Sequence, residues 1–249
     1  MIAFVTGATS GFGAAICRRF AREGHRLIAT GRRADRLDAL RRELGDALAH
    51  TIVLDVRDTP AVLRAVAELP GDLSAVDLLV NNAGLARGLE PAHRASLDDW
   101  HEMVDTNVKG LMTMTHALLP GMVARDRGHV VNIGSTAASW PYTGANVYGG
   151  TKAFVDQFSL NLRSDLLGTR VRVTVIHPGM AAGTEFSNVR FHGDDARAAK
   201  VYEGTDPLRP EDIAETVHSV ATLPAHVNIN TMELMPVAQA YAGLAVARR

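Results

Sequence analysis

The chain opens with an apolar run, a glycine turn and a helical pattern in direct succession. Residues 2–6 are predicted to form a buried strand, and hydrophobic residues recur at helical spacing over 14–23. Between them lie Gly7, Gly11 and Gly13. In such a turn the first glycine permits a tight bend, the second lets the backbone approach a pyrophosphate, and the third allows close helix packing. Because the helix N-terminus adds amide donors and a positive dipole end, this segment predicts a dinucleotide site.

The alternation of strand and helix continues along the chain. Strand-like apolar runs lie near residues 2–6, 26–30, 51–55, 77–81, 129–133, 172–176 and 232–236. Between them hydrophobic residues recur at helical spacing, as at Leu37, Leu40 and Leu44. Alternating strands and helices predict a parallel sheet, which right-handed crossovers cover with two helical layers. We therefore expect an α/β fold, a Rossmann-like doubly wound parallel sheet of about seven strands with helices on both faces.

Length and composition are compatible with a single such domain over residues 1–249. Of the 249 residues 47% are hydrophobic and 21% charged, so the chain can bury a sizeable core. A formal net charge of −1 gives no reason to propose a nucleic acid or an anionic membrane as partner, and small solutes are expected instead. No apolar run approaches the ~18 residues of a membrane span and no leader precedes the first strand, which predicts a cytoplasmic protein.

Cysteine and histidine usage predicts neither a disulfide nor a metal centre. Cys17 is the only cysteine, so no intrachain disulfide is expected. The ten histidines do not combine with acidic residues or with Cys17 at a convincing metal-ligand spacing, and no catalytic metal is predicted.

A candidate acid–base pair occurs in the second half of the chain. Tyr148 and Lys152 are four residues apart, and Ser135 lies upstream at the end of an apolar run. On a helix, residues four apart share a face, so the ammonium can lie beside the phenol and favour its phenolate. A tyrosine pKa is ordinarily about 10, and each unit of lowering represents about 1.4 kcal/mol. The pair alone occurs by chance in many helices, but here it accompanies a predicted dinucleotide site.

In order and spacing, these motifs resemble those of the short-chain dehydrogenase/reductase family over essentially the whole chain. The matching positions are Thr6-Gly-x-x-x-Gly-x-Gly13, Asp55, Asn81-Asn-Ala-Gly84, Asn107, Ser135, Tyr148-x-x-x-Lys152 and Pro178-Gly179. The resemblance implies that the catalytic residues are Asn107, Ser135, Tyr148 and Lys152. It also implies cofactor contacts from Gly7, Thr9, Ser10, Gly11, Phe12, Gly13, Asp55, Val56, Asn81, Ala83, Gly84, Tyr148, Lys152, Pro178, Gly179 and Thr184.

The resemblance also implies a role for each catalytic residue. Ser135 would hydrogen-bond the substrate oxygen, and Tyr148 would donate or accept the proton. Lys152 would lower the tyrosine pKa and hold the nicotinamide ribose, while Asn107 would anchor a water relay. Simpler alternatives are that the serine caps a turn, that the asparagine satisfies backbone groups in a kinked helix, and that the lysine is a solvated charge.

The segment after the second predicted strand indicates which cofactor is bound. It reads Thr30-Gly-Arg-Arg33, with two guanidinium groups and no acid, whereas an NAD site usually presents a carboxylate there. A guanidinium can hold a 2′-phosphate through charge-assisted hydrogen bonds. The sequence therefore predicts NADP/NADPH, bound by Arg32 and Arg33, although Arg33 could instead begin a helix and face solvent.

Within the family, the chain is similar to the NADP-dependent 3-hydroxy acid dehydrogenases, which act on serine and allo-threonine and reduce malonic semialdehyde. This closer likeness is carried by residues 29–33, 134–137 with 139–141, 183–191 and 223–231. The resemblance further implies a homotetramer, or a dimer, assembled through helices around 98–126 and 146–168 and through the C-terminal segment 236–249.

Substrate contacts are predicted around the only long irregular segment, residues 179 to about 210, which is expected to form a substrate lid. Arg190 in this segment could bind a substrate carboxylate bidentately, and Arg87 offers a second cation near the mouth of the site. Apolar walls are expected from Trp140, Pro141, Met180 and Phe186.

The substrate class is open between two alternatives. His177 before Pro178-Gly179, together with Met180-Ala-Ala182, departs from the expected pattern. A broad carbonyl reductase acting on neutral ketones or aldehydes is therefore the alternative to a 3-hydroxy acid dehydrogenase. A cofactor-binding regulator without catalytic activity is more remote, because the four catalytic positions are intact.

Overall fold

A computed structural model describes residues 1–241 and contains one seven-stranded parallel sheet. Its strands are β1 Ile2–Val5, β2 Arg26–Gly31, β3 His50–Val53, β4 Leu78–Asn81, β5 Gly128–Ile133, β6 Val171–Pro178 and β7 Thr231–Leu234. All seven predicted strands are present, and their ends agree with the predicted ends to within two residues. The predicted Rossmann-like α/β fold is confirmed.

Helices cover both faces of the sheet. They are α1 Gly11–Arg22, α2 Ala34–Leu44, α3 Thr59–Ala67, α4 Leu97–Val104, α5 Leu111–Ala124, α6 Asn146–Asp165, α7 Phe186–Arg190, α8 Asp195–Lys200 and α9 Pro210–Thr222. Successive strand residues point to opposite faces, so Val5 packs in a cluster with α1, α2 and α9, whereas Phe4 packs in a cluster with α3, α5 and α6. The buried residues of these clusters lie between the sheet and a helical layer on each face, as in a doubly wound fold.

The strand order is β3-β2-β1-β4-β5-β6-β7. The chain adds β2 and β3 on one side of β1 and then, from β4 onward, adds strands on the other side. In open α/β sheets ligands bind outside the carboxyl ends of the strands at such a reversal. The glycine turn follows β1, and Asn82-Ala-Gly84 follows β4. The topology therefore brings these two sequence motifs to the same crevice.

In two segments the observed secondary structure differs from the prediction. The prediction that residues 179–210 are irregular is wrong, because α7 and α8 lie within this range. The long helix around 98–126 is interrupted by a π-helical turn over Asp105–Gly110, which separates α4 from α5. The C-terminal segment 236–249 was predicted to take part in oligomer assembly. Its residues 242–249 lie outside the described residues.

None of the helices within residues 1–241 is both long and apolar enough to cross a membrane. In the same residues, no group of three or more His, Cys, Asp or Glu side chains is arranged to hold a metal ion.

Candidate active site

A cavity of about 650 Å³ lies at the carboxyl ends of the central strands. It collects residues from the glycine turn, the ends of β2 to β6, helix α6 and the segment that contains α7. The predicted site residues on its wall are Gly7, Thr9, Ser10, Gly11, Phe12, Arg32, Arg33, Asp55, Val56, Ala83, Gly84, Ser135, Tyr148, Lys152, Pro178, Gly179, Met180, Thr184, Phe186 and Arg190. The structure thus brings together most of the positions that sequence analysis selected.

The glycine turn has a backbone that only glycine adopts readily and a surface that side chains would obstruct. Gly7 and Gly11 have φ values of 66° and 51°, in the left-handed region. A Cβ on Gly11 would stand 3.1 Å from the Thr184 side chain, and a Cβ on Gly13 would collide with the carbonyl oxygen of Gly7. These residues therefore fit a site where a pyrophosphate approaches the backbone at the start of a helix.

The two arginines after β2 differ in their surroundings. Arg32 is exposed on the cavity wall, where it can meet a phosphate. Arg33 instead forms an ion pair with Glu185, 2.8 Å from Nη2 to Oε2, and its Nη2 also donates to the hydroxyls of Thr9 and Ser10, both at 3.1 Å. The Arg33 guanidinium holds the pKa of the Glu185 carboxyl below its usual range. Arg33 thus joins the glycine turn to the segment that precedes α7.

The part of the cavity wall that follows β3 carries Asp55, whereas Asn81 is not on the wall. The Asp55 carboxylate lies 2.6 Å from Arg57, whose hydrogen bonds lower the pKa of this carboxyl. Asn81 is buried in the sheet, where its Nδ2 donates at 2.9 Å to both Thr115 and Asn132, and it does not reach the cavity wall. Its position suits a role in holding strands together, in contrast to the predicted cofactor contact.

Tyr148 and Lys152 share one face of α6 and are both buried. The Lys152 ammonium donates to the carbonyl of Ile133 at 2.8 Å and stands 5.9 Å from the centroid of the tyrosine ring. Burial raises the pKa of Tyr148 to about 12, opposed in part by the Ser135 hydroxyl, and burial lowers the pKa of Lys152 to about 8. Desolvation is therefore the largest influence on the Tyr148 pKa in the protein alone, and the lowering of this pKa by Lys152 stays a prediction for the cofactor-bound protein.

Asn107 lies in the π-helical turn, 2% exposed, and does not line the cavity. Its Oδ1 accepts from the amide of Leu85 at 2.9 Å, and its Nδ2 donates to the carbonyl of Leu85 at 2.8 Å and to Thr151 at 3.0 Å. From its place in the π-helical turn, the side chain thus satisfies backbone groups of Leu85, in the loop after β4, while its role in a water relay stays a prediction. A Cβ on Gly84 would lie 3.3 Å from Asn107 Oδ1 and 3.5 Å from Lys152 Nζ, so these groups converge beside the cavity.

Helix α7 covers the tyrosine with two side chains spaced one turn apart. The ring of Phe186 meets the ring of Tyr148 edge-on at a centroid distance of 5.7 Å. The guanidinium carbon of Arg190 stands 5.6 Å from the same ring, and Arg190 is only 9% exposed. Its Nη2 donates to the Tyr142 hydroxyl at 3.0 Å and its Nε to the carbonyl of Gly88 at 3.1 Å. A buried cation therefore faces the candidate acid–base residue.

Arg87 and Trp140 are not brought to the cavity wall. The Arg87 guanidinium donates to Glu102 of α4 at 2.7 Å and to the carbonyl of Val189 of α7 at 2.7 Å, so it is bound to protein groups. Trp140 is 37% exposed and its indole nitrogen donates to Glu233 at 3.0 Å.

Sequence analysis missed Tyr142, Glu185 and Gln239, which line the cavity. Tyr142 is an aromatic residue next to the predicted wall at 140–141 and could have been found there. The side chain of Gln239 accepts a hydrogen bond from the amide of Met180 at 2.7 Å, across 59 residues of sequence. For Glu185 and Gln239, local sequence carried no signal.

Comparison with known proteins agrees with this arrangement. The profile of the family described as short chain dehydrogenase matches residues 1–194. The chain is 63% identical to the NADP-dependent 3-hydroxy acid dehydrogenase YdfG of Escherichia coli K12, with all of both chains covered. It is 54% identical to the serine 3-dehydrogenase of Agrobacterium fabrum, covering 98% of this chain and 97% of the relative.

Two solved structures share both sequence and fold with the chain. One, the closed form of serine dehydrogenase complexed with NADP+, is 63% identical, has a TM-score of 0.99 and covers 100% of each chain. The other, serine dehydrogenase from Escherichia coli, is 57% identical, has a TM-score of 0.86 and covers 97% of this chain and 100% of the other. From the match to the family profile and from these identities over whole chains, we conclude that this protein belongs to the short-chain dehydrogenase family.

Proposed function

We propose that this protein is an NADP(H)-dependent dehydrogenase that oxidises the hydroxyl group of 3-hydroxy acids, such as serine, allo-threonine and 3-hydroxypropionate, and reduces the corresponding aldehydes or ketones, such as malonic semialdehyde. The observation that carries the proposal is the buried Arg190 guanidinium, 5.6 Å from the ring of Tyr148 in the same cavity. Relatives of this chain are named as 3-hydroxy acid and serine dehydrogenases, which supports the same substrate class.

The cavity wall fits NADP. Exposed Arg32 can meet a 2′-phosphate, and the segment after β2 presents no carboxylate to repel it. The glycine turn accepts the pyrophosphate, while Lys152 and the loop at Pro178 and Gly179 line the part of the cavity next to Tyr148. Bound NADP+ supplies the acceptor for the hydride that leaves the hydroxyl-bearing carbon.

The protein's own groups manage the proton and the orientation of the substrate. Tyr148 takes the hydroxyl proton through its phenolate oxygen during oxidation and returns it during reduction. The Ser135 hydroxyl donates a hydrogen bond to the substrate oxygen. Because burial raises the pKa of Tyr148 to about 12, the phenolate needs added positive charge, which Lys152 and a cationic nicotinamide provide. The ring of Phe186 excludes water from the tyrosine.

The substrate carboxylate is held by Arg190 in this proposal. Two of its nitrogens donate to Gly88 and Tyr142, and these contacts fix the plane of the guanidinium over the cavity. A planar guanidinium can form two parallel hydrogen bonds with a carboxylate. Residues 179–210, including α7, would act as the lid that brings this cation to the substrate. The same single domain would bind the cofactor and catalyse the reaction. The homotetramer suggested by resemblance is part of the same proposal.

The experiment compares 3-hydroxypropionate with 3-hydroxypropionamide, a neutral compound of the same shape, in NADP-dependent oxidation. A marked drop in kcat/KM for the amide is expected, because the amide lacks the charge that Arg190 recognises. Equal or better turnover of the amide would instead indicate a general carbonyl reductase. Tyr148→Phe is the control: it should abolish turnover of both compounds while NADPH binding, followed by fluorescence, persists.

A further inference from the structure

His177 is a buried residue of the active-site region that the proposed mechanism does not use. It lies in β6 directly before Pro178 and Gly179, is 4% exposed and does not line the cavity. Its ring is nonetheless held at both nitrogens. Nε2 lies 3.0 Å from Oδ1 of Asp156, and Nδ1 lies 3.2 Å from the amide nitrogen of Ser135.

The position of Asp156 connects this histidine to the acid–base helix. Tyr148, Lys152 and Asp156 follow one another at intervals of four residues along α6 and so share a face. The carboxylate therefore approaches His177 from the same helix that carries the tyrosine. One imidazole ring thus links α6, the end of β6 and the loop that holds Ser135.

The hydrogen-bond partners select one tautomer of the imidazole. A carboxylate only accepts, so Nε2 carries the proton that is donated to Asp156. Nδ1 then has a free lone pair and accepts from the amide of Ser135. The carbonyl of Ser135 lies 3.0 Å from the same nitrogen and accepts from the amide of Ala138, also at 3.0 Å; a neutral ring protonated at Nε2 has no Nδ1 proton to donate to it. Within residues 1–241, Nδ1 is the acceptor that the structure provides for the Ser135 amide.

Gly134 gives independent evidence that the ring of His177 packs closely against the loop that holds Ser135. A Cβ at this position would stand 2.5 Å from Nδ1 of His177, so any other residue would push the ring away from Ser135. Its amide donates to the carbonyl of Ile176 at 2.7 Å, which holds the loop against β6. The Ser135 hydroxyl oxygen itself accepts from the amide of Ala137 at 3.1 Å, and this contact does not use the hydroxyl proton.

We propose that His177, oriented by Asp156, is a positioning residue that holds the backbone of Ser135 so that its hydroxyl meets the reacting oxygen of the substrate. This inference rests on the role proposed above for Ser135. Carboxylate–imidazole pairs of this kind set which ring nitrogen carries the proton and which accepts. The contact with Ser135 is made to its backbone amide, so this contact acts on the reaction through residue 135.

A double-mutant cycle tests this route. We expect His177→Leu to lower kcat for 3-hydroxypropionate by about 10- to 100-fold, the range associated with small misplacements of a reacting group, with little change in the KM for NADP. In a Ser135→Ala background there is no hydroxyl to position, so the same substitution should change kcat by less than about twofold. His177→Asn places an amide oxygen near the position of Nδ1 and should restore most of the activity.

Controls separate positioning from loss of structure. His129→Leu removes another buried histidine, whose Nε2 lies 2.8 Å from the hydroxyl of Thr174 in the same sheet, and should leave kcat and both KM values unchanged. If His177→Leu does not fold, Asp156→Ala carries the same cycle, because this side chain is 29% exposed.

Two results would overturn the inference. Equal loss of kcat from the His177 substitution in both backgrounds would mean that the histidine does not act through Ser135. Full activity of Ser135→Ala alone would remove the role of the serine, and with it the reason to position it. The Ser135→Ala variant alone tests the proposed mechanism, whereas the comparison of the two backgrounds tests the role of the histidine. The two failures are therefore distinguishable.

Discussion

Replacing Arg190 by methionine should convert an acid-selective enzyme into one that treats acids and neutral alcohols alike. Methionine keeps much of the length and apolar body of the side chain but removes its charge and its donors. In the structure the guanidinium is 9% exposed and stands above the ring of Tyr148. A carboxylate that enters this cavity therefore loses much of its hydration and depends on Arg190 for compensation.

The magnitude follows from that burial. Truncating one partner of a buried, hydrogen-bonded charge pair costs about 2–5 kcal/mol. Two donors of Arg190 are already used by Gly88 and Tyr142, so we expect the lower part of that range, about 2–3 kcal/mol. At about 1.4 kcal/mol per factor of ten, kcat/KM for 3-hydroxypropionate should fall roughly 30- to 150-fold relative to 3-hydroxypropionamide.

The assay is the ratio of kcat/KM for the acid to that for the amide, at saturating NADP, in the native enzyme and in Arg190→Met. The ratio matters because Arg190 also ties α7 to Gly88, and loosening that helix would slow both substrates together. Arg190→Lys keeps the charge without the planar fork, and its ratio should fall between the other two. A ratio unchanged by Arg190→Met would refute carboxylate recognition and leave the arginine a structural role in α7.

Three further predictions concern the cofactor, the buried lysine and the single cysteine. Arg32→Asp should lower the ratio of kcat/KM for NADP to that for NAD by at least about tenfold, because a carboxylate repels the 2′-phosphate; an unchanged ratio would contradict the assignment. Burial lowers the pKa of Lys152 from 10.5 to about 8, so the unfolded chain binds more protons between these values and the stability of the native protein rises with pH across that window. Lys152→Met should therefore be more stable than the native protein at pH 7 in urea denaturation, by a margin that shrinks towards pH 10.5, and a margin independent of pH would be inconsistent with this reasoning. Burial raises the pKa of the Cys17 thiol to about 12, so the folded protein should resist a disulfide thiol reagent at pH 8 until it is unfolded by denaturant, whereas reaction at the rate of a free thiol would show the site to be open.

The elements of the fold were accessible from sequence because their signals are local. Apolar runs four to eight residues long, separated by helical periodicity, were enough to find all seven strands of the sheet. The glycine turn was recognisable for the same reason, since a left-handed φ at Gly7 and Gly11 is a property of those residues themselves. The helices α7 and α8 were missed, because such short helices lack a periodic apolar face long enough to detect.

The candidate site was predictable in its motifs and less so in its contacts. The cavity is lined, as expected, by Ser135, Tyr148 and Lys152, which were selected by their place in a motif. The relatives named as NADP-dependent agree with the predicted cofactor. The resemblance counted Asn81 among the cofactor contacts, whereas its side chain bonds to Thr115 and Asn132 within the fold. Motif position did not reveal that Arg87 binds Glu102 and the backbone of α7.

By itself, the sequence determined the order of strands and helices, the glycine backbone at the first turn, and the family to which the chain belongs, because each is written in neighbouring residues or in a spaced motif. Only the tertiary structure decided which charges meet. Arg33 pairs with Glu185 across 152 residues, and His177 reaches Ser135 across 42. Burial, a property of the packed chain, also raises the pKa of Tyr148 to about 12 in the protein alone, because desolvation disfavours the phenolate.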